Sequence, residues 1–262
     1  MSIPYTDLHR LHLRQDTLAH LQALGIYTIA QLAALSPDQL RTFKGIKSTA
    51  GQVHAKACAL HAQQPIWHGH LPPICADPGY MFDIETIPYT EQIWSIGWCD
   101  PDGQLYTAVC APIEEPVTAT LPDGRAVLLV PDPDQLWAAF AEAIPVDSRP
   151  VYHWTGFDTS VMRKTAAESV CAHILPRSQD LHRVYKNAVC FPVENGSLKT
   201  VAGWLGFGWS AYAAWDQAYD DYRCFLTTGD GAALARACSY QRDDVEAMRV
   251  VWSWLVANAP AR

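Results

Sequence analysis

Apolar positions recur every three or four residues in the first part of the chain and every second residue further on. The two spacings predict a helical head followed by a body that opens with strands. Over residues 1–62, Leu18, Leu21, Leu24, Ile26 and Ile29 are spaced for a helix, a break at Gly25 and a second helix start. Residues 31–35 make another amphipathic turn. Ser36-Pro37 places an N-cap residue before a first-turn proline and starts a further helix. Gly45 then turns the chain into a helical run that reaches Leu60. Residues 63–79 are rich in proline and glycine and read as a linker.

The body begins with a strand over residues 80–87 and a second over 93–98. The turn Asp100-Pro101-Asp102-Gly103 leads into a third over 105–110, completing an antiparallel meander. Another turn, Pro122-Asp123-Gly124, lies between short apolar runs. A helix follows over 133–144, with Leu136, Trp137, Phe140 and Ile144 on one face. Residues 150–154 form a short strand, and the rest is mainly helical. The last helix carries its apolar face through Val245, Met248, Val251, Trp252 and Leu255. Strands first, then helices around one more strand, predict an α/β fold with a mixed sheet flanked by helices. The expected division is an all-α domain at 1–62, a linker at 63–79 and the α/β domain at 80–262.

Composition changes this picture little; charge changes it more. The chain is 49% apolar and 18% charged, which excludes a disordered protein. No run approaches twenty apolar residues, and the N-terminus lacks the apolar core of a signal peptide. Eight scattered cysteines without a C-x-x-C pair read as reduced thiols. A cytoplasmic protein with no membrane partner is expected. The net charge of −8 argues against a nucleic-acid partner until its distribution is read. Residues 1–70 hold six Lys/Arg, three Asp/Glu and seven of the ten histidines, whereas 71–262 hold 13 Lys/Arg and 24 Asp/Glu. A basic head on an acidic body suits a polyanion bound by the head.

The head resembles a helix-hairpin-helix module over about twenty residues around Lys44, Gly45 and Lys47. Such a module grips a nucleic-acid backbone, with N–H groups at a helix start next to lysines. Lys47 stands where the second glycine of that turn is usual. A plain packing turn is the competing reading. His68 and His70 flank Gly69 in the linker, without a third ligand nearby to complete a metal site.

The acids of the body carry the chemistry. In Phe82-Asp83-Ile84-Glu85, alternation puts Asp83 and Glu85 on one strand face and the two apolar side chains on the other. Two like charges in a largely buried strand repel and lose hydration. A divalent cation of the Mg²⁺ or Mn²⁺ type relieves both penalties. Asp158 follows the strand at 150–154 and starts the next helix, where it also fits a cap. Tyr240 and Asp244, four apart, share one face at the start of the last helix, and Asp243 points elsewhere as a solvent-exposed or first-turn acid.

This order of motifs resembles the DEDD superfamily of 3′–5′ exonucleases, of the tyrosine type, which have an RNase H-like fold. The resemblance covers residues 79–258. The segments 180–184, 197–207 and 240–245 look like predicted RNase H-like nucleases related to the RecB-associated family, in which a helix-hairpin-helix segment often precedes the nuclease. Gln241 stands where that group often has Asn. The resemblance implies that Asp83, Glu85, Asp158 and Asp244 hold two Mg²⁺ or Mn²⁺ ions, and that Tyr240 orients or helps activate the attacking water. It implies a nuclease acting on single-stranded DNA or RNA or on a duplex 3′ end. Asp180 is a candidate for supporting the metal ligands, and Lys199 for contacting a phosphate. Trp154, Phe157 and Trp204 are candidates for stacking on bases. The competing class is an adaptor that kept the fold, lost catalysis and binds through its head. A hydrolase of small phosphoesters would not need the basic head.

Overall fold

The computed structural model describes residues 7–210 and 215–261. The first six residues of the predicted head, and residues 211–214 and 262 of the predicted body, lie outside the described residues.

The head contains α1 (Gln15–Ala23), α2 (Ile29–Ala33), α3 (Pro37–Arg41) and α4 (Ala50–Ala62). Thr28 and Ser36 cap α2 and α3, and Gln31 and Gln39 reach back to close a capping box at each. Gly25 and Gly45 turn the chain with φ of +81° and +86°. At Gly45 a Cβ would also lie 2.1 Å from Thr17 Oγ1, so the turn excludes a side chain twice over. Leu8, Leu21, Leu32, Leu40 and Ile46 meet in a small core of their own.

The linker segment carries β1 (Ile66–Trp67), and the body opens with β2 (Tyr80–Thr86), β3 (Ile93–Cys99) and β4 (Leu105–Cys110). Then come β5 (Val117–Thr120), β6 (Ala126–Val130), α5 (Pro133–Ala143) and β7 (Val151–His153). They are followed by α6 (Phe157–Thr165), α7 (Glu168–Ile174), β8 (Ser178–Asp180), α8 (Leu181–Ala188) and β9 (Val189–Cys190). The chain closes with α9 (Leu198–Trp204), α10 (Trp215–Thr228) and α11 (Gly231–Asn258).

Among the described residues, seven strands form one mixed sheet in the order β5-β6-β4-β3-β2-β7-β8. The expected meander is its centre: β2 pairs antiparallel with β3, and β3 with β4. β7 and β8 add on in parallel beside β2, which places the carboxyl ends of β2, β7 and β8 at one edge. Helices cover both faces. Phe82, Ile84, Ile96 and Trp98 pack against α5, α6 and α7. Met81, Cys99 and Tyr152 pack against α8, α9 and α11. Trp94 stacks on Tyr222 of α10, with ring centroids 4.3 Å apart. This is the α/β architecture the strand and helix pattern predicted.

Three strands have no counterpart in that reading. β1, β8 and β9 are two or three residues long, too short for alternation to show. The last helix also starts earlier than the polar run near Tyr240 predicted, at an Asp230 cap that accepts from Ala232 N–H at 2.9 Å. The head docks on the body through these short pieces. β1 pairs antiparallel with β9, and Trp67 stacks on Trp254 at 6.0 Å. Gln52 Nε2 donates to Lys186 O at 3.3 Å, and Lys56 Nζ donates to the carbonyls of Phe191 and Val193. The eight cysteines are free thiols. No helix among the described residues is long and apolar enough to cross a membrane.

One glycine links sheet and helix. Gly97 on β3 faces α11, and a Cβ there would lie 2.8 Å from Gln241 Cγ. Gln241 cannot swing aside cheaply, because its amide donates to Asp83 O at 3.1 Å and accepts from Ser95 Oγ. Gly97→Val is expected to cost about 1–3 kcal/mol, as overpacked cores do, read as a lower urea midpoint at unchanged slope. An unchanged midpoint would show that α11 can lift off β3 freely.

Candidate metal centre

The centre is built on β2. Its alternation sends Phe82 into the α5 face, against Phe140 at 4.9 Å, and turns Asp83 and Glu85 toward α11. Their neighbours on β3 are small: Gly97 stands opposite Asp83 and Ser95 opposite Glu85. That gap lets α11 approach, and Gln241 locks the contact. Tyr240, one residue before the lock, and Asp244, three residues after it, share a helical face. One carboxylate oxygen each from Asp83, Glu85 and Asp244 lie within 4.8 Å of one another.

Asp158 joins from a third element. It sits in the first turn of α6, almost fully buried, behind a Gly156 cap without a side-chain bond. With Asp83, Asp244 and Lys199 it lines a groove of about 270 Å³. His153, at the end of β7, lies 3.9 Å from Asp158 Oδ2 and contacts Thr155 O through the same nitrogen. Burial lowers the His153 pKa, so the ring stays neutral and donates to that carbonyl.

The electrostatics have one dominant cause. Burial, followed by the neighbouring acids, raises the pKa values of Asp83 and Glu85 well above the carboxylate range. Burial lifts Asp158 to about 7, opposed by backbone hydrogen bonds at Asp158 and Ile84 and assisted by Asp180 and Asp244. It lifts Asp244 to about 6, opposed by Trp209, Lys199 and Tyr240. The Tyr240 phenol is pushed up by burial and by the acids around it, so it keeps its proton.

The residues present fit a divalent cation. Asp83 Oδ2 is shielded from water and has no hydrogen-bond partner, so this atom lacks the compensation a buried oxygen needs. Hard carboxylate oxygens from three elements are the donor set that Mg²⁺ or Mn²⁺ takes. Among the described residues Asp83, Glu85 and Asp244 are the one group of three His, Cys, Asp or Glu side chains whose ligand atoms converge.

Other predicted residues fall in distinct places. Trp154 and Phe157 line the groove, Phe157 half exposed at 52%. Trp204 does not line it; its ring lies edge-on to Phe191 at 5.6 Å. Asp180 caps α8, accepting from Arg183 N–H at 2.9 Å, and reaches the centre through its charge on Asp158. Lys199 enters beside Tyr240, its Nζ 3.1 Å from the phenol oxygen. Lys44 and Lys47 are exposed in the head on either side of Gly45 and Ile46.

Asp243 corrects the reading of it as a solvent-exposed or first-turn acid. It lies mid-helix and buried, and its Oδ2 accepts from Ser210 N–H at 2.6 Å and Ser210 Oγ at 2.9 Å. This bond pins the segment after α9, so that Trp209 Nε1 donates to Asp244 Oδ1 at 2.6 Å. Trp209, Asp243 and His153 are the contributors that sequence reasoning missed. Trp209 sits in an aperiodic stretch, where a pattern offers no signal.

The raised carboxylate pKa values set a direction. Unfolded, these acids titrate near 4; folded, Asp244 and Asp158 hold protons to about 6 and 7. Stability from this source is complete below about pH 4 and lost as the pH rises through 6–7. In EDTA, Asp83→Asn is therefore expected to melt a few degrees above wild type at pH 8, and by much less at pH 5. Mn²⁺ is expected to raise the wild-type melting temperature at pH 8 and to leave Asp83→Asn nearly unmoved. Equal Mn²⁺ shifts in both proteins would remove Asp83 from the cation's ligands.

Comparison with known proteins bears on the same segment. A family model of the RNase_H superfamily matches residues 80–256. No curated protein and no solved structure matches the chain significantly. The match runs from the first residue of β2 nearly to the end of α11, the stretch that supplies every acid of the centre. The chain belongs to the RNase_H superfamily.

Proposed function

We propose that this chain is a metal-dependent nuclease that hydrolyses phosphodiester bonds of DNA or RNA, removing nucleotides from the 3′ end. The observation that carries the reading is the convergence of Asp83, Glu85 and Asp244, with Asp158 on the same groove and Tyr240 beside it. Members of the RNase_H superfamily are mostly hydrolytic nucleases, which supports the class.

Asp83, Glu85, Asp158 and Asp244 would hold two Mg²⁺ or Mn²⁺ ions. When bound, such ions supply an activated water and stabilise the charge on a leaving oxygen. The chain's own groups do the rest. Tyr240 keeps its proton, so its hydroxyl orients the water by a hydrogen bond and does not remove the water's proton. Lys199 Nζ donates to that hydroxyl oxygen at 3.1 Å. Trp209 fixes Asp244 in one orientation. Phe157, half exposed on the groove, offers a face for a base at a strand end, whereas Trp154 is buried and stacks on Tyr185 at 5.4 Å. Lys44 and Lys47 beside Gly45 would hold the backbone of the same nucleic acid, which accounts for the basic head.

The test is digestion of end-labelled single-stranded DNA and RNA with Mn²⁺ or Mg²⁺. A ladder growing from the 3′ end is expected, abolished by EDTA and by Asp83→Ala. Equal products from wild type and Asp83→Ala would sink the assigned centre. Tight binding without cleavage would favour the adaptor. Tyr240→Phe is expected to lower kcat roughly 10²-fold while leaving Mn²⁺ affinity close to wild type. For the head, Lys44→Gln with Lys47→Gln is expected to weaken oligonucleotide binding and flatten its salt dependence by about one to two phosphate contacts. An unchanged slope would show that the head only packs.

A further inference from the structure

Lys199 stands among the very acids that a cation must neutralise. It is the second residue of α9, a helix set by a Ser197 cap that accepts from Thr200 N–H at 3.2 Å. Its Nζ donates to Tyr240 Oη at 3.1 Å and lies 4.6 Å from the centroid of the Tyr240 ring. The Trp209 ring is 6.0 Å away, so the ammonium sits between two aromatic faces. Lys199 lines the same groove as Asp83, Asp158 and Asp244. Its charge acts on Asp83, Glu85 and Asp244 together.

A fixed positive charge here is costly to a metal centre, because it repels an incoming cation. It is useful if it has two employers. Four ionised acids carry −4 and two divalent ions +4, so a filled centre balances without Lys199 and is left with its +1. A phosphodiester brings −1 to that same place. Before loading, the ammonium offsets part of the repulsion among the acids. Its four-methylene stem lets the head group shift without unpacking α9.

We propose that Lys199 is a resident counter-ion: it partly balances the carboxylates before divalent cations load, and becomes the partner of the scissile phosphate once they have. It is thus a positioning residue that opposes cation binding and favours substrate binding. This rests on the nuclease reading of the centre.

The two effects have opposite signs, which a merely structural role would not produce. The experiment uses full-length wild type, Lys199→Gln, Lys199→Met and Lys199→Arg at low ionic strength. Mn²⁺ affinity is read from the EPR signal of free Mn²⁺, and single-stranded oligonucleotide affinity is read in Ca²⁺ by fluorescence anisotropy. Lys199→Gln is expected to bind Mn²⁺ about fivefold to tenfold more tightly than wild type. The same variant is expected to bind the oligonucleotide about tenfold more weakly, with a salt slope smaller by about one contact. Lys199→Met, which keeps an apolar stem against the two rings, is expected to behave like Lys199→Gln. Lys199→Arg, which keeps the charge, is expected to stay near wild type in both. Mn²⁺ affinity that is unchanged or weaker in both neutral variants overturns the proposal. So does oligonucleotide affinity unchanged by loss of the charge. A wild-type chain that takes up no Mn²⁺ overturns this proposal and the nuclease reading together, whereas equal uptake by all four proteins overturns this one alone.

Discussion

Four carboxylates brought into one partly dry groove are the constraint to which the rest of the body answers. Bringing Asp83, Glu85, Asp158 and Asp244 together costs hydration and adds mutual repulsion, and the raised pKa values of all four record it. The surrounding structure distributes that cost. Gly97 and Ser95 stay small so that α11 can close on β2, and Gln241 ties helix to strand through Asp83 O. Trp209, Lys199 and Tyr240 each favour the ionised form of Asp244. Asp83 Oδ2 is left without a partner, which is the residue of the account that a cation would settle.

The same constraint explains the charge distribution. An acidic body looks unsuited to a polyanion only if its acids are counted as surface charge. Several are instead turned inward around the groove. The exposed basic residues of the head are held close to the body by backbone pairing between β1 and β9 and by Lys56 on two carbonyls. Net charge thus describes how the molecule behaves as a colloid, whereas the placement of the acids describes its chemistry.

Much of this was legible in the sequence because its causes are local. The alternation in Phe82-Asp83-Ile84-Glu85 chose the faces of β2, since side chains on a strand must alternate. Ser36-Pro37 started α3, and Gly45 turned the chain where only glycine relieves both φ and the Thr17 contact. The Tyr240–Asp244 spacing put both on one face of α11. What failed to show was short or aperiodic. β8 and β9 give too few residues for a period to register. Asp243 looked like a surface acid because its partner, Ser210, is 33 residues away and marked by no pattern.

By itself, then, the sequence determined the element types, the two-sided nature of β2 and the residue types able to hold a hard cation, because backbone sterics and side-chain period act over a few residues. Only the tertiary structure decided that three acids from β2 and α11 bring oxygens within 4.8 Å of one another, and that Asp158 reaches their groove from α6. It alone set Lys199 and Trp209 against Tyr240 and Asp244. The physical reason is separation: Asp83 and Gln241 stand 158 residues apart. Nothing in local propensity couples positions that far apart; sheet order and helix packing do.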